Sequence, residues 1–185
     1  VAESVRRALY VLFGRLLAEP PDAALYRRLR AGGLHALAAA QGIDLTSDLL
    51  DETDAEACAS ELGAEYARLR DLVSLRASDY VEGGEDPVVA LGRFLARHNL
   101  RASPELPCDH LAIALGIMGE LAAAADTGDG AARRRAVDFF ERHVAPWALR
   151  ALAELAAKAE RRFYRGVAAM ASAFLESERR QYEAA

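Results

Sequence analysis

Catalysis or metal binding needs side chains that titrate, ligate or attack, at spacings that let them meet. The four histidines are His35, His98, His110 and His143, and none has a glutamate three residues before it. That excludes the Glu-x-x-His pairs with which helical bundles hold two irons, because positions i and i+3 share a helix face. Asp109-His110 reverses the His-Asp order of helical metal phosphohydrolases, and the further histidines and aspartates at helical spacing are absent. The chain has no Walker A loop, no Gly-x-Gly-x-x-Gly after a strand, no Gly-x-Ser-x-Gly and no His-Glu-x-x-His. Cys58 and Cys108 form no Cys-x-x-Cys pair, which points to a reducing compartment and ordinary thiols. No catalytic motif and no metal-ligand set is therefore expected from these residues.

One constellation remains: Glu105-Leu106-Pro107-Cys108-Asp109-His110-Leu111, followed by Leu115 and Met118. Pro107 stiffens the approach to a helix. Asp109 suits the N-cap or first turn, where a carboxylate accepts from free backbone N–H groups and meets the positive end of the helix dipole. His110 is placed to hydrogen-bond to another segment. On physics alone, this is a well-capped helix with a satisfied histidine. The run Arg133-Arg134-Arg135 reads as a solvated helix face. Tyr10, Phe13, Phe139, Phe140, Trp147, Phe163, Tyr164 and Phe174 recur at helical spacings and read as core.

Helices must position these residues, because strand formers are scarce. Val, Ile and Thr together number 16 in a chain dominated by Ala, Leu, Arg and Glu. Val5, Ala8, Leu9, Leu12, Phe13, Leu16 and Leu17 mark one apolar face of a first helix, with Tyr10 and Gly14 off the stripe and Pro20-Pro21 as its stop. Helices are expected next at about 22–31 and 33–40, and from a cap near Thr53 or Asp54 to about 72, with Ala57, Leu62, Tyr66 and Leu69 inward. The stretch 77–87 reads as a loop. Pro87 opens a helix to about 98, a proline-punctuated connector leads into a helix at about 109–125, and 126–130 is a second loop. Helices at about 131–144, 147–160 and 162–182 complete the chain, Pro146 opening the middle one. The fold class is all-α: a single globular multi-helix domain over 1–185, with a hinge at about 99–109.

The 185 residues are 52% hydrophobic, enough for a sizeable core, and carry a formal net charge of −5, which disfavours nucleic acid as a partner. Lys158 is the only lysine against 22 arginines, a bias read as that of the source genome. No stretch is apolar and long enough for stable membrane insertion. Ser4-Val5-Arg6-Arg7 loosely resembles a twin-arginine export signal, but Gly14, Arg15 and Glu19-Pro20-Pro21 interrupt the apolar run behind it and no Ala-x-Ala site is present. A cytoplasmic protein is expected.

The constellation resembles the signature of the TorD/DmsD/NarJ family of redox-enzyme maturation chaperones, roughly Glu-x-Pro-x-Asp-His opening a helix. Four further segments are similar to that family in the same order. They are the aromatic helix Leu9–Leu17 with its Glu19-Pro20-Pro21 stop, Glu65-Tyr66-Ala67-Arg68-Leu69, Phe139 through His143 to Trp147, and Phe163-Tyr164. Between Leu69 and Asp86 the chain departs from the family's longer, proline-containing stretch, which bears on any contact carried over to Tyr80.

The resemblance implies a TorD-like fold and a non-enzymatic role. Such a protein binds the twin-arginine signal peptide, or N-terminal region, of a molybdoenzyme precursor, and withholds it from export until the cofactor is inserted. The client would carry molybdopterin guanine dinucleotide; the chaperone itself would hold no cofactor stably, and weak GTP binding, said of some members, has no phosphate loop to support it here. The implied signal-peptide-binding residues are Glu105, Pro107, Asp109, His110, Leu111, Leu115 and Tyr80, with Leu111 and Leu115 in an apolar groove and Glu105 and Asp109 meeting the basic end. The protein would be a monomer or a domain-swapped dimer, exchanging helices about the 99–109 connector. The rival readings are an all-helical adaptor or regulator with no signal-peptide affinity, and a hydrolase using Asp109-His110.

Overall fold

The computed structural model describes residues 5–31, 54–100 and 106–184. Among them are eight α-helices: α1 (Val5–Ala18), α2 (Ala23–Ala31), α3 (Ala55–Leu72), α4 (Pro87–His98), α5 (Leu111–Ala125), α6 (Gly130–His143), α7 (Ala148–Lys158) and α8 (Arg162–Glu183). A single 3-10 turn, Ala77–Asp79, interrupts the stretch expected as loop. The helix expected at 33–40 lies outside the described residues. The all-α expectation holds, and the only β pairing among the described residues is an isolated antiparallel bridge between Arg76 and His110.

The helix starts obey capping chemistry. Asp54 Oδ1 accepts from the N–H groups of Glu56 and Ala57 at the head of α3. Asp86 Oδ1 accepts from Val88 N at 2.7 Å, with Pro87 in the first turn of α4, and Asp129 Oδ1 accepts from Ala131 N at the head of α6. Asn99 ends α4 in the left-handed region at φ 53°, letting Leu100 N reach back to Leu95 O. Pro146 falls in the turn before α7 and does not open it, since the helix begins at Ala148.

The chain divides into two compact units. One comprises Val1–Ala18, Leu75–Arg150 and Glu178–Ala185; the other comprises Glu19–Ser74 and Ala151–Ser177. The division falls within α7 and α8, and the 99–109 connector lies inside the first unit's span. The first unit is built around α5, whose sequence carries no charge before Glu120, and almost every residue of that apolar stretch is buried. α1 and α6 both pack against it. In the second unit α2 packs on α3.

Two inward faces differ from expectation. On α1, Val5 is 72% exposed and Ala8 is exposed, while Tyr10 and Gly14 are buried. Close helix approach decides this face. A Cβ at Gly14 would lie 3.3 Å from Ala112 O, and one at Gly119 of α5 would lie 3.4 Å from Tyr10 Cβ. On α3 the buried stripe is Ala55, Cys58, Leu62, Glu65 and Leu69, with Ala57 exposed and Tyr66 half-buried. A carboxylate holds one of its inward positions because it has partners there. The eight aromatic residues read as core are all buried.

Candidate functional site

Residues 109–111 lie against residues 75–78 in the first unit. Ala77 N donates to Asp109 O at 3.0 Å and Leu111 N donates to Leu75 O at 2.8 Å, which makes the Arg76–His110 bridge. The Asp109 side chain adds to this backbone pairing. Its Oδ1 accepts from Arg76 Nε at 3.2 Å and its Oδ2 from Ser78 N at 3.1 Å, so the carboxylate caps the 3-10 turn that starts at Ala77. Asp109 is 2% exposed. Burial alone would push its carboxyl up, but the Ser78 hydrogen bonds and the Arg76 guanidinium outweigh burial and hold it below the usual carboxylate range.

Asp109 is therefore not the N-cap of α5. His110 takes that place, with extended backbone at φ −73° and ψ 142° and its Nδ1 accepting from Ala112 N at 3.1 Å. An Nδ1 that accepts is unprotonated, so the proton of the neutral ring sits on Nε2. Burial, joined by the charge of Arg76, lowers the His110 pKa against the opposing pull of Asp109. The cross-segment hydrogen bonding expected of the imidazole is made by backbone instead.

From the 3-10 turn the chain runs into Tyr80 and Val81. The Tyr80 ring stacks on Trp147 with centroids 6.0 Å apart, and Arg150 donates to Tyr80 O at 3.1 Å while lying over the same ring. Trp147 Nε1 donates to His143 O at 2.8 Å. Trp147 borders a cleft of about 70 Å³, lined also by Ala77, Val81, Leu91, Ala114 and Arg142 among others. Asp109 and His143 also contribute to its lining, and Glu85 stands at its edge, ion-paired with Arg93 at 2.6 Å.

The expected site residues are thus only partly gathered. Asp109 borders the cleft, and Tyr80 belongs to the corner beside it. Pro107 is exposed and its carbonyl accepts from His110 N at 2.9 Å. Leu111 and Leu115, expected to open a groove, are 0% and 1% exposed, because the apolar stretch of α5 before Glu120 lies in the core; neither offers a surface in this structure. Glu105 lies outside the described residues. Sequence reading misses Arg76 and Ser78, which stand more than thirty residues before Asp109 and carry no motif. It also gives no sign that Trp147 and His143 line a cleft, although both belong to a segment similar to the family's.

A larger, open recess of about 490 Å³ lies in the second unit, with Glu61, Glu65, Glu160, Arg68, Arg161 and Arg165 among its lining. Its charges are largely matched internally. Glu65 accepts from Arg68 and from the N–H groups of Glu160 and Arg161, Arg68 also reaches Glu160, and Arg161 pairs with Glu61. The recess is a structural junction of α3 with the start of α8. Among the described residues no group of three or more His, Cys, Asp or Glu side chains could hold a metal, and no helix is long and apolar enough to cross a membrane.

The first unit thus holds a small cleft whose apolar wall is joined by the ionisable side chains of Glu85, Asp109, Arg142 and His143. The family model described as nitrate reductase delta subunit matches residues 31–154, most of the chain, and the chain belongs to that family of molybdoenzyme maturation chaperones. No curated protein and no solved structure matches it.

Proposed function

We propose that the protein is a cytoplasmic chaperone that binds the twin-arginine signal peptide, or the N-terminal region, of a molybdoenzyme precursor and retains it until the cofactor has been inserted. The observation that carries this reading is membership of the nitrate reductase delta subunit family over residues 31–154. The cleft of the first unit supports it. A twin-arginine signal combines apolar side chains with two guanidinium groups, and its receptor needs an apolar recess edged by a carboxylate. Ala77, Val81, Leu91, Ala114 and Trp147 supply the recess and Glu85 the carboxylate, while Arg142 of the same lining is ion-paired with Asp138. On binding, a client arginine competes with Arg93 for Glu85, and the net charge of −5 favours its approach in a salt-dependent way.

The test is a tagged pull-down from the source cytosol, with bound proteins identified by mass spectrometry. Enrichment of one molybdoenzyme precursor still carrying its N-terminal signal is the expected result. No enrichment, even with candidate precursors overexpressed, would move the reading to an adaptor without signal-peptide affinity.

A further inference from the structure

We infer that Asp109 is a positioning residue, one that sets the wall of the cleft through Arg76 and Ser78 and does not itself meet the client. The inference rests on the client-binding reading above and assigns the motif aspartate a different part in it from direct ion pairing with the signal's arginines.

Three observations carry it. Both carboxylate oxygens are already engaged, one by Arg76 Nε and the other by Ser78 N, in a side chain with almost no solvent exposure. A client guanidinium could reach them only by unmaking the turn. The partners of Asp109 lie in the segment that forms the cleft wall: Ala77 and Val81 line the cleft, and the Tyr80 ring between them rests on Trp147, which lines it too. The backbone of Asp109 engages the same segment, its carbonyl accepting from Ala77 N. Losing the carboxylate leaves the Ser78 N–H without its acceptor and releases the Arg76 side chain, so the turn that aims Ala77 and Val81 at the cleft loosens.

The experiment is a double-mutant cycle on affinity for a synthetic twin-arginine signal peptide, read at low and moderate salt, with Asp109→Asn, Arg76→Gln and the double variant. If Asp109 acts through Arg76, each single variant weakens binding about tenfold and the double is no weaker than the worse single. The salt dependence then keeps its wild-type slope in Asp109→Asn, because no protein–client ion pair has been removed. Losses that multiply in the double, with a flatter salt slope in Asp109→Asn, would overturn the inference and place the carboxylate on the client.

Amide hydrogen exchange of the unliganded protein separates this from the client reading itself. The Ser78 amide is expected to be protected in the wild type and to lose protection in Asp109→Ala, which removes the acceptor oxygen that Asp109→Asn keeps. Fast exchange of Ser78 in the wild type would overturn the clasp whether or not the peptide binds. A protected Ser78 in a protein that does not bind the peptide would keep the clasp, and would overturn both the client reading and the part that Asp109 is given in shaping a client cleft. Should Asp109→Asn fail to fold, Arg76→Gln, at a position 44% exposed, reads the same clasp.

Discussion

Asp109 and His110 are adjacent, yet their side chains serve different structures: the carboxylate caps the 3-10 turn at Ala77, and the imidazole caps α5. The sequence makes the aspartate the obvious cap, since aspartate outranks histidine at that position. The preference is overridden by Arg76, whose guanidinium draws the carboxylate away. The His110 cap has a testable energetic consequence. His110→Ala is expected to destabilise the protein by about 1 kcal/mol, and His110→Asn to recover most of it, since Asn is a strong N-cap. Chemical denaturation at pH 7.5 measures both. The cap also depends on pH. The His110 pKa is lowered on folding, so its contribution is complete above the unfolded-state value of about 6.5 and is lost as pH falls from there toward the folded value. Wild-type stability should therefore fall more steeply than that of His110→Asn as pH is lowered from about 7 to 5. Equal slopes would show that His110 does not titrate as the structure requires. His143, whose pKa burial also lowers, keeps some slope in both proteins.

At the scale of elements, most of the fold is legible because helix boundaries are written in side chains. Asp54, Asp86-Pro87 and Asp129 mark their helices as capping chemistry predicts. Inward faces are harder to read where burial is not a matter of apolar character. Gly14 looks like an interruption of the α1 stripe, yet it is where α1 packs closely on the α5 backbone. Glu65 looks like surface, yet it is an inward carboxylate that accepts from two backbone N–H groups near the start of α8. Neither is visible to a hydrophobic pattern, because both depend on what another element presents. The α1–α5 crossing yields a prediction. Gly14→Leu places a side chain where even a Cβ would lie 3.3 Å from a backbone carbonyl, and should cost about 1–3 kcal/mol in an unfolding titration. Ala8→Leu, on the exposed side of the same helix, should change stability by less than about 0.5 kcal/mol. Equal effects at the two positions would contradict the crossing.

At the scale of the molecule, ends of the chain that are remote in sequence are joined within the first unit by a buried charge. Glu178, 1% exposed, accepts from Arg6 Nη2 at 2.7 Å and from the Tyr10 hydroxyl at 2.9 Å, and Arg6 also reaches Asp126 and Tyr182. The arginine that gives the first segment its loose likeness to an export signal is thus a structural residue in a folded helix. The function is legible as a family from motifs spread along the chain, and the match over residues 31–154 establishes that family. The site is legible only in part, because the motif marks Asp109 while the cleft wall comes from residues 77–81 and 143–147, which only the fold brings together. Service of this cleft to a twin-arginine client is measured by calorimetric titration of the purified protein with a synthetic signal peptide and with the same peptide carrying two alanines in place of the arginines. Saturable binding of the first that weakens as salt is raised, and clearly weaker binding of the second, is the expected result. Equal affinity for both peptides, or binding by neither, would contradict it.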